Sequence, residues 1–592
     1  MAEAQSAPAG DLSGLRLRER YNTRLGVLRT DYSTWLEHYR ELAAQILPRR
    51  FRDKRADRNK GSKRNDAIIN PTPTLAARIC YSGLMAGLTS PARPWHRRGL
   101  ENLELEAKPR VKLWLHQVEE IERRLLARSN FYNTLAGCIY PDIAVFGTAC
   151  AIMDDDPKEV WRLYGLPVGE YYLSCSDRGE VDTVFHETGF TTGQIVEKFG
   201  LEKCSSVVRG AYERGDYDTY VPVVRVIEPN RDQQQDRIDW RGMPYIGRWY
   251  EVAGSDKVEA PFLDEKGFRE CPILAPRWDV TNGDTYGRSP AMDVLGDCKQ
   301  LQKLESRKLE LLEKIVRPPV VAPESLRASG ASLQPGAVNY VSGGTAGMKM
   351  EAIVNPRDSA LVSCEGSIRK CEDRINKGMF ADLWTMMQNP IGEGRQPDTA
   401  EEVRAKKEER LLQLGPALER QDAELLDPAL YRLFGIASRK RLYPKPPAEL
   451  VGQVLRVEYI NVMSTAQKLL GIAGIERTVA FTGNLAAVVP EVVDKLDVDK
   501  IVEEYGEKAG MAPDLLRPQE AVAKLRAGRR AAAAAAQAPG DANAAKAGAQ
   551  AAEVLSTTDV NGDTALNRLL QANTGPAATA GFPQDVGRRA SA

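Results

Sequence analysis

Prolines and glycines divide the middle of this chain so sharply that one local shape is dictated: two long helices around a small irregular tip. Residues 289–316 read SPAMDVLGDCKQLQKLESRKLELLEKIV. Ser289 suits the position before a first helical turn, and Pro290 suits the first turn itself, where its missing N–H leaves nothing unsatisfied. The run stops at Arg317-Pro318-Pro319, which cannot continue a helix. At about 1.5 Å per residue, such a rod is roughly 40 Å long. Residues 318–356, rich in Pro, Gly, Val and Ser, predict short strands and turns. Residues 357–384 then return to a helical pattern. Leu301, Leu304, Leu311, Leu312 and Ile315 are available on the first rod for helix–helix packing. Lys299, Lys303, Arg307, Lys308, Lys314 and Arg317 alternate there with Glu305, Glu310 and Glu313.

Upstream, apolar residues recur at helical spacing over 15–47 (Leu15, Tyr21, Leu25, Leu28, Trp35, Tyr39, Leu42, Ile46), and Pro48 ends the run. Residues 49–64 carry nine basic and two acidic side chains, a solvated loop or a patch for phosphate or a partner. A helix over 72–90 is lined with small residues, which permits close approach of another element. Helices over about 104–128 and 131–146 follow. Between 148 and 280 the pattern changes to short β-type runs (TACAIMDD, EYYLSCSDRGEVDTVFHET, VPVVRVIEPN, PYIGRWYEVAG, CPILAPRWDV) separated by turn residues. An antiparallel sheet with hairpins is predicted, with TTGQIVEKFG as a short helix packed on it. The fold class is α+β.

Downstream, residues 385–399 (TMMQNPIGEGRQPDT) are too rich in Gly and Pro for regular structure. A third long helix is predicted to about 440 with a kink at Gly415-Pro416, then a strand at 454–460 and helices at 464–476, 478–486, 490–509 and 517–530. From 528 to 592 alanine dominates, a low-complexity tail that is partly helical at best.

The chain has 592 residues with 81 basic and 81 acidic side chains, so no global field draws it to nucleic acid; any contact with DNA is local. Nine scattered cysteines without a C-x-x-C pair predict reduced thiols, with Cys364 and Cys371 on one helix face. No segment is apolar enough to span a membrane. The first residues lack the order of a secretion signal, which predicts action in a cytoplasm or in something assembled there. Phosphate-loop, H-E-x-x-H and G-x-S-x-G patterns are missing, and the four histidines are far apart. These readings predict no cofactor, no catalytic residue and no metal. Asp154, Asp155 and Asp156, in a predicted turn, are the acidic cluster a cation could use.

Five stretches together resemble the podovirus portal family, also called head-to-tail connecting proteins: GLMAGLTSPARPWHR (83–97), EYYLSCSDRGEVDTVFHE with GQIVEKFG (170–200), TYGRSPAMDVLGDCKQLQKLE (285–305), DTAEEVRAKKEERLLQLGPALERQ (398–421) and VEYINVMSTAQKLLG (457–471). The resemblance covers about residues 20–515. It implies the portal fold: long stem helices, an antiparallel β-rich wing, a small β clip and a helical crown. A flexible N-terminus (1–14) precedes a wing at 15–287. Stem helices at 288–317 and 357–384 flank a clip at 318–356. A channel loop occupies 385–399, a wing helix and strand 400–460, and the crown 461–527. The Ala-rich tail matches no part of it.

The resemblance further implies a homo-oligomeric ring, typically of twelve subunits, at one capsid vertex of the virion, assembled in the host cytoplasm without a membrane. Double-stranded DNA passes through it during packaging and ejection, held without regard to sequence. Its other partners are a terminase motor, a tail adaptor, and capsid and scaffolding proteins. On this mapping Asn389, Arg395 and Gln396 of the loop and Lys299, Lys303, Arg307, Lys308 and Lys314 of the stem face the channel. The four stem leucines and Ile315 pack between subunits, and Pro318, Pro319, Val338 and Tyr340 belong to the docking clip. Mixed charge gives a weakly patterned wall rather than a clamp, as a sliding duplex requires. Two alternatives stand beside this reading. One is another phage structural or adaptor protein with a helical hairpin, a monomer or small oligomer. The other is a metal-dependent enzyme built on Asp154–Asp156.

Overall fold

In a computed structural model of the chain, the described residues are 11–52, 64–106, 108–252, 261–281, 283–316, 320–321, 351–352, 358–388, 414–450, 452–460, 475–485, 496–508, 521–531 and a few positions beyond. Met1–Ile501 and Val502–Ala592 form separate compact units.

Helix α1 (Asp11–Gln45) agrees with the helical spacing over 15–47, starting four residues earlier and ending two sooner. At about 1.5 Å per residue it is roughly 50 Å long. Its apolar stripe is buried in two stages. Tyr21, Leu25 and Leu28 pack on Phe185, Val224, Val226 and Tyr250, while Tyr39, Leu42 and Ile46 enter the main core. Polar residues fix the same helix to the sheet: the Tyr21 hydroxyl donates to Glu228 (2.6 Å), and Arg24 pairs with Glu228 (2.8 Å). Helix α2 (Thr72–Leu88) follows, then strand β1 (His96–Leu100) and helix α3 (Pro109–Arg128). The helical run from Phe131 to α4 (Tyr140–Phe146) contains a wide π turn over Leu135–Ile139.

The β region holds strands β2 (Cys150–Asp156), β3 (Val160–Leu166), β4 (Tyr171–Cys175) and β5 (Val181–Thr191). Helices α5 (Thr192–Phe199) and α6 (Ser206–Glu213) come next, followed by strands β6 (Tyr220–Pro229), β7 (Tyr245–Glu251), β8 (Asp264–Phe268) and β9 (Ile273–Leu274). Strands β4 to β8 form an antiparallel five-stranded meander, and β3-β2-β9 a three-stranded sheet. Helix α5 packs on the meander through Ile195 and Phe199, as predicted. Its start is a capping box: Thr191 and Gln194 satisfy each other's backbone N–H.

Past the sheets come α7 (Pro290–Asp293) and α8 (Leu295–Val316), a rod broken once at Val294. Strands β10 (Val320–Val321) and β11 (Glu351–Ala352) pair antiparallel and close the base of the tip. Helix α9 (Asp358–Gly378) returns along α8. Helix α10 (Ala381–Gln388), the helical residues 414–421, a π turn at Asp422–Leu426, α11 (Asp427–Arg439) and strand β12 (Leu455–Tyr459) complete the unit. Strand β12 pairs with β1, more than 350 residues earlier, from His96↔Tyr459 to Leu100↔Leu455.

Several expectations change. The aspartates of AIMDDD lie on strand β2, not in a turn. The expected single helix over 357–384 breaks at Phe380, whose φ of 56° lies in the left-handed region and redirects the chain into α10. Thr385–Gln388, expected in a loop, belong to α10. Strands β1, β3 and β8 and helix α6 went unforeseen. In the tail, where partial helix was expected, residues 528–531 are helical, and Asp559–Val560 pairs in addition with Asp563–Thr564. The kink at Gly415-Pro416 adjoins residues outside the described set.

Candidate functional site

The root of the helical hairpin is built by four separate segments. Ser289 caps α7 as its position predicts: its Oγ accepts from the Met292 amide (3.2 Å) and donates to the Val145 carbonyl (2.7 Å). The Gly287 amide donates to Thr148 Oγ1 (2.7 Å). Two backbones cross here with no room for side chains. Gly147 has a φ of 79°, and a Cβ on it would lie 2.6 Å from the Arg288 carbonyl carbon; one on Gly287 would lie 2.5 Å from the Gly147 oxygen. The entry to the hairpin is therefore locked against the corner between α4 and β2.

A second attachment comes from the chain just before α2. Gln302 Oε1 accepts from the Ile69 and Asn70 amides (2.7 and 2.9 Å), and its Nε2 donates to the Asn70 carbonyl (2.9 Å). The Asn70 side-chain amide in turn donates to Glu305 on α8 (3.0 Å) and Glu372 on α9 (2.9 Å). One asparagine thus ties both hairpin helices to the N-terminal layer through charge-assisted bonds.

A third comes from beyond the loop region. Arg277 donates to both oxygens of Glu424 (Nη2 at 2.7 Å, backbone N at 2.8 Å), and the Gln421 side chain donates to the Arg277 carbonyl (2.8 Å). Burial opposes the Arg277 charge, yet the Glu424 carboxylate outweighs it and lifts the guanidinium above its ordinary value. Finally, the Trp384 indole of α10 lies across Gly83 of α2, where a Cβ would fall 2.6 Å from Cε2. The small residues of that helix do admit a close neighbour.

Along the hairpin, α8 and α9 run antiparallel, joined by Arg374–Asp297 (2.8 Å) and Lys308–Glu365 (3.6 Å). Cys371 is buried in the core, and Cys364 packs against it from the same face. Of the stem cations, Lys299 pairs with Glu41 of α1 (2.7 Å) and Arg307 with Glu310 (2.6 Å), while Lys303 and Lys314 are exposed. Leu301 is fully covered within its own chain, and Leu304 packs on the same core. Leu301 is therefore removed from the set available to a neighbouring subunit. Leu311, Leu312 and Ile315 keep partial exposure. The sequence reading missed Leu309, Val316 and Val362, which are 52%, 75% and 68% exposed. Leu309, Leu312 and Val316 follow i, i+3, i+7 spacing, one continuous apolar stripe on the outer part of the rod. Pro318, Pro319, Val338, Tyr340, Asn389, Arg395 and Gln396 lie outside the described residues.

The acidic cluster on β2 is committed elsewhere. Asp154 pairs with Arg225 (2.6 Å) and Lys266 (3.6 Å); burial opposes its charge, but these cations hold its carboxyl below the usual range. Asp155, on the other face of the strand, faces Arg432 (3.6 Å), and Asp156 accepts the Lys158 and Glu159 amides in a turn. Among the described residues no group of three or more His, Cys, Asp or Glu is placed to hold a metal. Of the basic segment 49–64, Arg50 pairs with Asp142 (3.2 Å) and Arg52 with Glu170 (2.8 Å). Positions 53–63 lie outside the described residues.

Comparison with known proteins bears on the whole of this architecture. Residues 18–516 match the sequence model of a family described as bacteriophage head to tail connecting protein. The chain is 40% identical over 564 residues to the portal protein of Salmonella phage epsilon15, covering 94% of this chain and 99% of that protein. It is 36% identical over 507 residues to a probable portal protein of Bordetella phage BPP-1, covering 85% of this chain and 89% of that one. Among solved structures, a chain from the neck of an empty GTA particle, computed with C6 symmetry, aligns over 73% of this chain and 93% of its own length, with 12% identity and a TM-score of 0.33.

Proposed function

We propose a function from the premise that the chain belongs to the bacteriophage head to tail connecting protein family. It is a portal protein, a structural component of the virion. The observation that carries this is the 40% identity to the epsilon15 portal protein over almost the full length of both chains.

The finer reading is ours. Copies of the chain assemble into a closed ring of about twelve at one capsid vertex, with the α8–α9 hairpins lining a central channel. Double-stranded DNA moves through that channel during packaging and ejection. The tip at 318–356 docks a terminase motor and later a tail adaptor, and capsid and scaffolding proteins surround the body. The paired, mixed-sign charges on α8 support passage rather than grip. Each fixed cation near a carboxylate offers little net attraction to phosphate, and a duplex that must slide both ways is best left loosely held. The four-way anchoring of the hairpin root supports a mechanical role, because a lever under load needs fixed attachments more than it needs chemistry. The protein itself catalyses nothing, and a separate motor does the work.

Asn389, Arg395 and Gln396 are assigned to a loop that faces the DNA. Deleting residues 389–397 tests this. Rings form as before, while phage carrying the deletion package or retain less genome. Normal filling and retention in that mutant contradict the loop assignment.

A further inference from the structure

Helices shorter than about 12 residues are marginal in water and owe their stability to an apolar face packed on something else. Helices α5 and α6 meet this condition within the subunit, burying Ile195, Phe199 and Val208 against Val223 and Trp249 of the meander. Two short helices near the end of the chain do not. Helix α12 (Val498–Lys508) has 11 residues. Its residues Val498, Val502 and Tyr505 follow i, i+4, i+7 spacing, which sets them on one face, and they are 54%, 53% and 39% exposed. The helical residues 521–531 are as short. Leu525 there is 45% exposed, and Lys524, Arg529 and Arg530 beside it are exposed too.

The two helices also differ in charge. Although the whole chain is balanced, α12 holds Asp499, Glu503, Glu504 and Glu507 against Lys500 and Lys508. Residues 521–531 hold Lys524, Arg526, Arg529 and Arg530 and no acid. Among the described residues, Lys524, Arg529 and Arg530 have no carboxylate partner. An acidic helix with an uncovered apolar stripe and a basic helix with an uncovered leucine are complementary in both charge and polarity.

We propose that the α12 stripe is an interaction surface whose occupant is the basic helix 521–531 of a second copy of this chain. The inference rests on the ring reading above. Neighbours in a ring meet head to tail, so each copy presents two different surfaces that fit one another. These helices supply such a pair, and both are open in the single subunit. Leu525 packs on the apolar stripe, and the basic side chains flank it opposite the acids of α12. The contact gives each short helix the packing that its own subunit withholds.

Charge reversal in the full-length protein tests this, with assembly read by sedimentation and subunit stability by denaturant titration. Lys524→Glu with Arg529→Glu and Arg530→Glu should weaken assembly at least about ten-fold and leave the unfolding midpoint of the unassembled subunit unchanged. Adding Glu503→Lys, Glu504→Lys and Glu507→Lys should restore assembly. Val502→Lys should also weaken assembly, again without moving the subunit midpoint. Basic-helix variants that form rings as readily as wild type overturn the proposal and leave the ring reading intact. The same holds if their only defect is weaker binding to duplex DNA, which gives the basic helix to phosphate instead. Weakened assembly that the acid-to-lysine changes do not rescue overturns α12 as the facing surface. A lowered midpoint in the unassembled subunit places the contact within one chain and overturns the exchange between copies. A wild-type protein that never forms rings overturns both readings together.

Discussion

Asn70 has no counterpart in any sequence pattern, yet it holds two helices through Glu305 and Glu372, which lie more than sixty residues apart. Its carboxamide reaches Glu305 and Glu372, and its backbone is held by Gln302. Asn70→Ala leaves these half-buried carboxylates short of a donor. A loss of about 2–4 kcal/mol in unfolding free energy is expected by denaturant titration, without change in helical content. Asp142 makes a second residue-level case. It is fully buried, and burial pushes its carboxyl to about 7, against the opposing pull of Arg50. Because the folded value lies above the unfolded one, the folded protein binds the extra proton between about pH 4 and 7. Stability therefore falls as pH rises from about 4 to 7 and levels off above. Asp142→Asn should flatten this dependence, raising Tm at pH 8 and changing little near pH 4. An unchanged slope between pH 4 and 7 counts against the assignment. Such residues were illegible in the sequence because their roles depend on partners remote along the chain. Ser289 was legible because a cap acts within three residues.

At the scale of elements, local signals carried far. Pro48, Pro290 and Pro318 set boundaries through backbone sterics alone, and the period of α1 named the residues that the core now covers. Strand β1 shows the limit. HRRGL alternates poorly and carries two arginines, so only its pairing with β12 makes it a strand, with Arg98 buried against Glu122 (2.7 Å). The break at Phe380 was hidden for a similar reason. Nothing in KGMFADLW forbids a helix, and packing of Trp384 on Gly83 fixes the turn instead. Gly83→Ala places a methyl inside that indole and should cost roughly 1–3 kcal/mol, or displace α10; thermal unfolding reads the first outcome and tryptophan fluorescence the second. The outer stripe of α8 calls for the opposite experiment. Leu309→Lys or Val316→Lys should leave the stability of the isolated subunit within about 0.5 kcal/mol, since both side chains are exposed, while weakening self-association. Equal assembly of both variants and wild type, measured by sedimentation, removes this stripe from the subunit contact.

For the whole molecule, the balance of 81 basic against 81 acidic residues frames the mechanism. On the proposed reading, a protein of balanced charge, with Lys299, Arg307 and Lys308 paired to carboxylates, has no strong hold on DNA, and its work is geometric: to surround a duplex and to present a docking tip. The family assignment rests on similarity along nearly the entire chain, whereas the ring and its channel follow from reading the hairpin as a repeated wall. Electron microscopy of the purified, assembled protein addresses that claim most directly. The account predicts closed rings with a central hole at least about 20 Å wide, enough for B-form DNA, with the hairpins around it. Particles that remain monomeric or form small open oligomers without a central hole contradict it.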